Sequence, residues 1–255
     1  MRSILLGMCL LATAGVALAE TGGYCSIRKS DWGDRLEFHF EQGDCGGDRG
    51  HCSDNTNNMH WERWSGVTPE DLTHEGAHVD ARMKADAGEV RCVGTVHDGE
   101  LHGDPSFTPN EDFVRRMQTM GFDGLNEDRL RTYVFLDVSL DWVKGMQDAK
   151  VSGMTSEKLI PLRALKVDPA YVRGMAECGY PELEADKLVS MKAVGVSPEK
   201  VKAVRAMGFS PTKEELIQMA VFKIDAPFVE RMKERGFKNP TISQLVKIKI
   251  FKLDE

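Results

Sequence analysis

The chain has no excess of positive charge. Its 33 Lys and Arg face 40 Asp and Glu, a formal net charge of −7 over 255 residues. A nucleic-acid footprint needs a basic patch, so composition argues against that class of partner. The sequence has no Gly-x-Ser-x-Gly elbow, no phosphate loop and no dinucleotide fingerprint. Gly46-Gly47 comes nearest to a phosphate cradle, but no helix start follows it to supply the amides. No cofactor is expected. After Leu18 no apolar run approaches the roughly 20 residues that a membrane helix needs.

The one apolar run, Ile4 to Leu18, follows Arg2 and ends in Ala17-Leu18-Ala19 before Glu20. That is the pattern of a secretory signal. Residues 1–19 are therefore expected to be a signal peptide, leaving a periplasmic or secreted protein without a membrane span. Cys9 lies inside the apolar run with no lipobox before it, which argues against a lipoprotein.

Cysteine is scarce. Besides Cys9 there are Cys25, Cys45, Cys52, Cys92 and Cys178. Export makes disulfides plausible, and four cysteines in the N-terminal part allow three pairings. The favoured set is Cys45–Cys52 across a Gly-rich loop and Cys25–Cys92 tying the N-terminal arm to a strand. Cys178 stands where other copies of a repeat have Met120 and Met207, which suits a buried small apolar residue.

Between residues 20 and 106 the apolar period is that of strands. Leu36, Phe38 and Phe40 alternate with Glu37, His39 and Glu41. Val79 to Asp86 alternates likewise, Val90 to Val96 forms another strand, and Asp98-Gly99 is a hairpin turn before Glu100 to Phe107. A small antiparallel β module with one buried face is expected. The segment from Gly43 to Asn58 reads as a mobile loop.

From 107 to 255 the period changes. Phe113-Val114, Trp142-Val143, Tyr171-Val172, Lys200-Val201 and Phe228-Val229 recur every 29, 29, 29 and 28 residues. A period of this size means a supersecondary unit stacked on its own copies. Each copy opens on an N-cap residue: Asn110, Ser139, Asp168, Ser197 or Asp225. The turn position reads Gly121, Lys150, Gly179, Gly208 and Gly236, with Lys150 expected to give a strained or different turn. A second helix keeps Leu130, Leu159, Leu188, Leu216 and Leu245. Thr212 with Glu215 and Thr241 with Gln244 look like capping boxes. Met117, Met146, Met175 and Met232 read as core at helical spacing. Lys247, Lys249 and Lys252 read as a solvated face near a helix C-terminus. The fold expected is α+β: a small antiparallel β module, then a solenoid-like array of about five two-helix repeats.

Two constellations have residues capable of chemistry. His74-Glu75-Gly76-Ala77-His78 is an H-E-x-x-H string, which on a helix puts two imidazoles on one zinc with Glu75 as general base. Glu89, His97 and His102 are candidate third ligands. Gly76 and the strand that follows argue against a helix. In a strand the two His lie about 13 Å apart, too far for one zinc with ligands at about 2 Å. The second cluster is Asp44, Cys45, Asp48, His51, Cys52 and Asp54. Here the disulfide reading outweighs a metal, and the acidic spacing is not that of an EF-hand.

Gly195-Val196-Ser197-Pro198-Glu199-Lys200-Val201, followed by Gly208-Phe209, resembles a bacterial extracytoplasmic repeat found in C-terminal extensions of membrane metallopeptidases of the β-lactam-sensor type. Met83 to Glu89, Gly94 and Phe107 to Asn110 resemble the small β module that often precedes such repeats. The peptidase's membrane domain has no counterpart here, so the resemblance implies no protease activity and no catalytic residues. It implies a sensing or accessory role. The expectation is thus a non-enzymatic interaction protein with a protein partner in the cell envelope. The alternatives are a zinc hydrolase using His74, Glu75 and His78, and a structural envelope-stress protein.

Overall fold

The computed structural model describes residues 23–31, 33–42 and 53–253. The expected signal peptide lies outside them, as do Asp44, Cys45, Asp48, His51 and Cys52. Of Asp54 only the backbone is described.

The chain is α+β. Six strands come first: β1 (Gly23–Lys29), β2 (Arg35–Gln42), β3 (Ser53–His60), β4 (His78–Ala85), β5 (Gly88–His97) and β6 (Glu100–Pro109). They form one antiparallel sheet in the order β3-β2-β1-β6-β5-β4. Two three-stranded meanders are thus joined where the first strand meets the last. The alternation read from sequence holds: Leu36, Phe38 and Phe40 are fully buried, while Glu37, His39 and Glu41 are half-buried on the other face.

β3 corrects an expectation. Ser53 to Asn58, read as part of a mobile loop, pairs with β2 from Ser53↔Gln42 to Arg35↔His60. The segment Ser-Asp-Asn-Thr-Asn-Asn has little strand propensity. It is held by main-chain rungs at a sheet edge.

The sheet bends at a glycine pair. Gly94 of β5 and Gly103 of β6 are directly opposed. A Cβ on Gly94 would lie 1.9 Å from the His102 carbonyl oxygen, and one on Gly103 would lie 2.3 Å from that of Val93. The bend brings β1 and β5 together across the intervening β6, and Cys25 and Cys92 form a disulfide there with Cα atoms 5.9 Å apart. Both cysteines are fully buried.

Ten helices follow among the described residues: α1 (Glu111–Thr119), α2 (Glu127–Leu136), α3 (Leu140–Asp148), α4 (Ser156–Ala164), α5 (Pro169–Glu177), α6 (Ala185–Ala193), α7 (Pro198–Ala206), α8 (Lys213–Val221), α9 (Ala226–Glu234) and α10 (Ile242–Ile250). None is longer than 10 residues, too short to persist alone in water. Asn110, Ser139, Asp168, Ser197 and Asp225 each accept from an amide of the helix they open. Both expected capping boxes are formed.

Turn geometry decides between two expectations. Lys150 has φ 60°, so it keeps the same left-handed turn as Gly121, Gly179, Gly208 and Gly236 and is strained there, as a non-glycine residue, instead of forming a different turn. The second helices end the same way, on Asp137, Lys166, Gly195, Lys223 and Lys252 with φ between 51° and 72°.

Odd helices pack on odd and even on even. α1, α3, α5 and α7 form one row, and α2, α4, α6, α8 and α10 another. α2 also packs on β4, β5 and β6. There Phe135 lies 5.9 Å from the Phe38 ring and 6.3 Å from that of Phe40. Arg63 donates to the Val134 carbonyl at 2.8 Å, and the Asp86 carboxylate accepts from Leu140 N at 3.0 Å. Sheet and helices therefore share one core, in which Met117, Met146, Met175 and Met232 are fully buried and Cys178 is a buried free thiol.

Candidate binding cleft

The H-E-x-x-H string has no helix to sit on. His74 follows a single 3-10 turn (Asp71–Thr73), and His78 begins β4. His74 Nδ1 donates to the Glu70 carbonyl at 3.0 Å. Glu75 turns to His97, with 2.8 Å between Oε1 and Nδ1, and accepts from Asp98 N at 3.0 Å. The His97 hydrogen bond, then the Asp98 amide, hold the Glu75 carboxyl below its ordinary range. His102 is engaged elsewhere, its Nδ1 2.6 Å from the Tyr24 hydroxyl. Glu89 stands opposite Lys84 in the sheet. Among the described residues no group of three or more His, Cys, Asp or Glu is placed to hold a metal ion.

The outer face of the sheet is polar but internally neutralised. Asp80 takes two guanidinium groups at once. Arg91 donates at 2.6 Å to each carboxylate oxygen, and Arg82 at 3.1 and 2.5 Å. Arg91, then Arg82, hold the Asp80 carboxyl well below the usual carboxylate range. Such a pair of bidentate contacts fixes the outer face but leaves no free base.

The helices carry a second kind of chemistry, legible column by column along the 29-residue period. In α3 and α5 an aromatic ring at the third helical position reaches across to the next turn. Trp142 Nε1 donates to the Val167 carbonyl at 3.0 Å, and the Tyr171 hydroxyl to that of Val196 at 3.0 Å. Burial pushes the Tyr171 hydroxyl up to about 12, so it remains a donor. A cation from the following even helix covers each ring. Arg163 lies 5.6 Å from the Trp142 centroid, Lys192 4.4 Å from that of Tyr171, and Lys249 4.1 Å from that of Phe228. Such contacts are worth roughly 0.5–1 kcal/mol at exposed sites. Between α3 and α5 and between α5 and α7 the packing is closed by a glycine against a proline, whereas α1 has Arg116 at the glycine position and α3 opens on Leu140. A Cβ on Gly145 or Gly174 would lie 2.8 Å from Cγ of Pro169 or Pro198.

One copy departs from this scheme in every column. The ring position of α7 is Lys200, and the cation position of α8 is Val221, which is 52% exposed. Val204 replaces the methionine of Met117, Met146, Met175 and Met232. Ala203 replaces the glycine, and Ala226 opens α9 where Pro169 and Pro198 open α5 and α7. The ring, the methionine of its column and a proline at the first helical position are thus replaced at one interface, while Pro227 stands at the second position of α9 and Met207 and Met219 remain beside it. A cleft of about 390 Å³ opens among α7, α8 and α9. Val196, Val204, Met207, Leu216, Met219 and Ile224 line it, with Lys200, Lys223 and Asp225 as its charged residues. Sequence reading noted Lys200 as a repeat position without seeing that its neighbours had changed too. Aligning the columns for ring, cation, methionine and proline together would have located the cleft.

No known protein family, curated protein or solved structure matches this chain.

Proposed function

We propose that this chain is a non-enzymatic interaction module of the extracytoplasmic space. In this reading the ten helices are five copies of a two-helix unit stacked as a solenoid. Residues 1–19 are an export signal, and a protein of the cell envelope binds along the array in a sensing or accessory role. The observation that carries it is the pair of helix rows, odd on odd and even on even. Such stacking builds an extended surface in which each unit touches only its neighbours. The left-handed residue that recurs after every first and second helix supports five equivalent units. The Cys25–Cys92 disulfide is compatible with an oxidising compartment, and among the described residues no helix is long and apolar enough to cross a membrane. The resemblance of the repeats to extensions of sensor-type metallopeptidases gives the accessory role its sharper form.

Tagged mature protein is to be incubated with envelope extract, with an α2-deleted chain as control. Reproducible capture of the same protein is expected. Repeated capture of nothing above background overturns the reading. So does stoichiometric zinc in the purified protein that is lost on His74→Ala, since that would place the function in residues 74–78.

A further inference from the structure

We propose that the cleft among α7, α8 and α9 binds a single-chain amphiphile with an anionic head group. The acyl chain would lie against Val204, Leu216, Met219 and Ile224, and the head between Lys200 and Lys223.

The cleft is built by coordinated change. A chance loss of one ring would leave its cation, methionine and proline in place. Here all four positions differ together, at Lys200, Val221, Val204 and Ala226; the first copy differs at two of the four, with Val134 at the cation position and Leu140 opening α3, but keeps its ring Phe113 and its methionine Met117. Ala203, whose counterparts Gly145 and Gly174 are half-buried, is exposed.

The walls select the chain. They are aliphatic and thioether side chains, and their volume of about 390 Å³ falls in the lower part of the roughly 300–1,000 Å³ range of small-molecule pockets. The rim selects the head. Lys200 and Lys223 are both exposed and take no ion pair among the described residues, unlike Lys158 and Lys187 on the neighbouring helices. The third charged residue, Asp225, is turned to the cap of α9, its carboxylate accepting from Phe228 N at 2.9 Å; it keeps its negative charge, and the two lysines leave the rim net positive. Two free ammonium groups over an apolar cleft complement an anion on an alkyl tail.

Titration calorimetry on the full purified chain tests this with hexanoate, octanoate and decanoate. Affinity is expected to rise about fourfold per methylene until the cleft is full. Decyltrimethylammonium, with the same tail and opposite charge, is expected to bind at least tenfold more weakly. Decyl phosphate against decanoate separates a phosphoryl head from a carboxylate. Lys200→Phe restores the ring of the column and is expected to lose binding at least tenfold with its thermal midpoint kept or raised. Lys223→Gln is expected to weaken decanoate several-fold and leave decanol unchanged. The proposal is overturned by no saturable binding of decanoate or decyl phosphate, by equal affinity for both charges, or by undiminished binding to folded Lys200→Phe. Binding of an amphipathic helical peptide with no binding of either amphiphile overturns it in favour of a protein ligand. These titrations use no envelope partner, so they stand or fall separately from the reading of the array as a partner-binding surface.

Discussion

Asp80 is the residue on which the outer face of the sheet turns. Its carboxyl is held below its ordinary value by Arg91 and Arg82, so in acid the unfolded chain takes up the proton first. The stability it contributes is complete above the unfolded carboxylate range, about 3.9. It is lost as pH falls through the depressed native value. Asp80→Asn is therefore expected to flatten the acid limb. The drop in urea midpoint between pH 6 and pH 3 should be smaller in the variant than in the parent chain. An equal drop would mean that the doubly bidentate contact does not persist in solution. None of this was legible beforehand, because Asp80 and Arg91 meet only through strand register. The roles of His74 and Glu75 were partly legible: Gly76 and the following alternation argued against a helix, but the partners Glu70 and His97 were set by chain path. Cys178 was fully legible from its column.

At the scale of elements, the glycines of the odd helices are a packing device. Alanine at a helix interior normally gains about 1 kcal/mol over glycine. At Gly174 the added methyl would meet Pro198 at 2.8 Å, and overpacking costs about 1–3 kcal/mol. Gly174→Ala is expected to lower stability by about 1 kcal/mol in denaturant titration, and Gly174→Ala with Pro198→Ala to recover most of it. That pair reproduces Ala203 and Ala226. Additive losses instead would show that the two residues do not touch. In the sheet, Gly103→Ala has no such escape, because the clash is with backbone. A loss of about 3 kcal/mol or more is expected from the urea midpoint. The helices were legible almost to their caps, since Asx and Ser side chains at a fixed period act locally. β3 was not, because nothing in Ser53 to Asn58 favours a strand except the presence of β2 beside it. Lys150 was legible in part: strain at that turn was expected, and the stacked neighbours hold it in the left-handed conformation of the glycines in its column.

Across the whole molecule the chain alternates between long-range and short-range closure. The sheet is closed by pairing β1 with β6 and by a disulfide spanning 67 residues of sequence. A loop of that length constrains the unfolded chain by roughly 4 kcal/mol in the chain-entropy model. Cys25→Ala with Cys92→Ala is accordingly expected to lower the unfolding free energy by a few kcal/mol, measured by denaturant titration against the oxidised parent. The helices instead close on neighbours near in sequence, within their own row and across to the other, so the same variant should leave local protection in α5 to α8 largely intact by hydrogen exchange.

β1 also decides what survives an accident of processing. It is the earliest described strand and yet sits at the centre of the sheet, the only rung ladder between β2 and β6. A cut upstream of Gly23 spares every described rung. Excision of these seven residues would strand β2 and β3 as a bare hairpin, which is marginal in water, and would uncover β6 as a raw edge. A shift of less than ten residues in where a protease trims the chain would thus separate an intact molecule from one primed to aggregate.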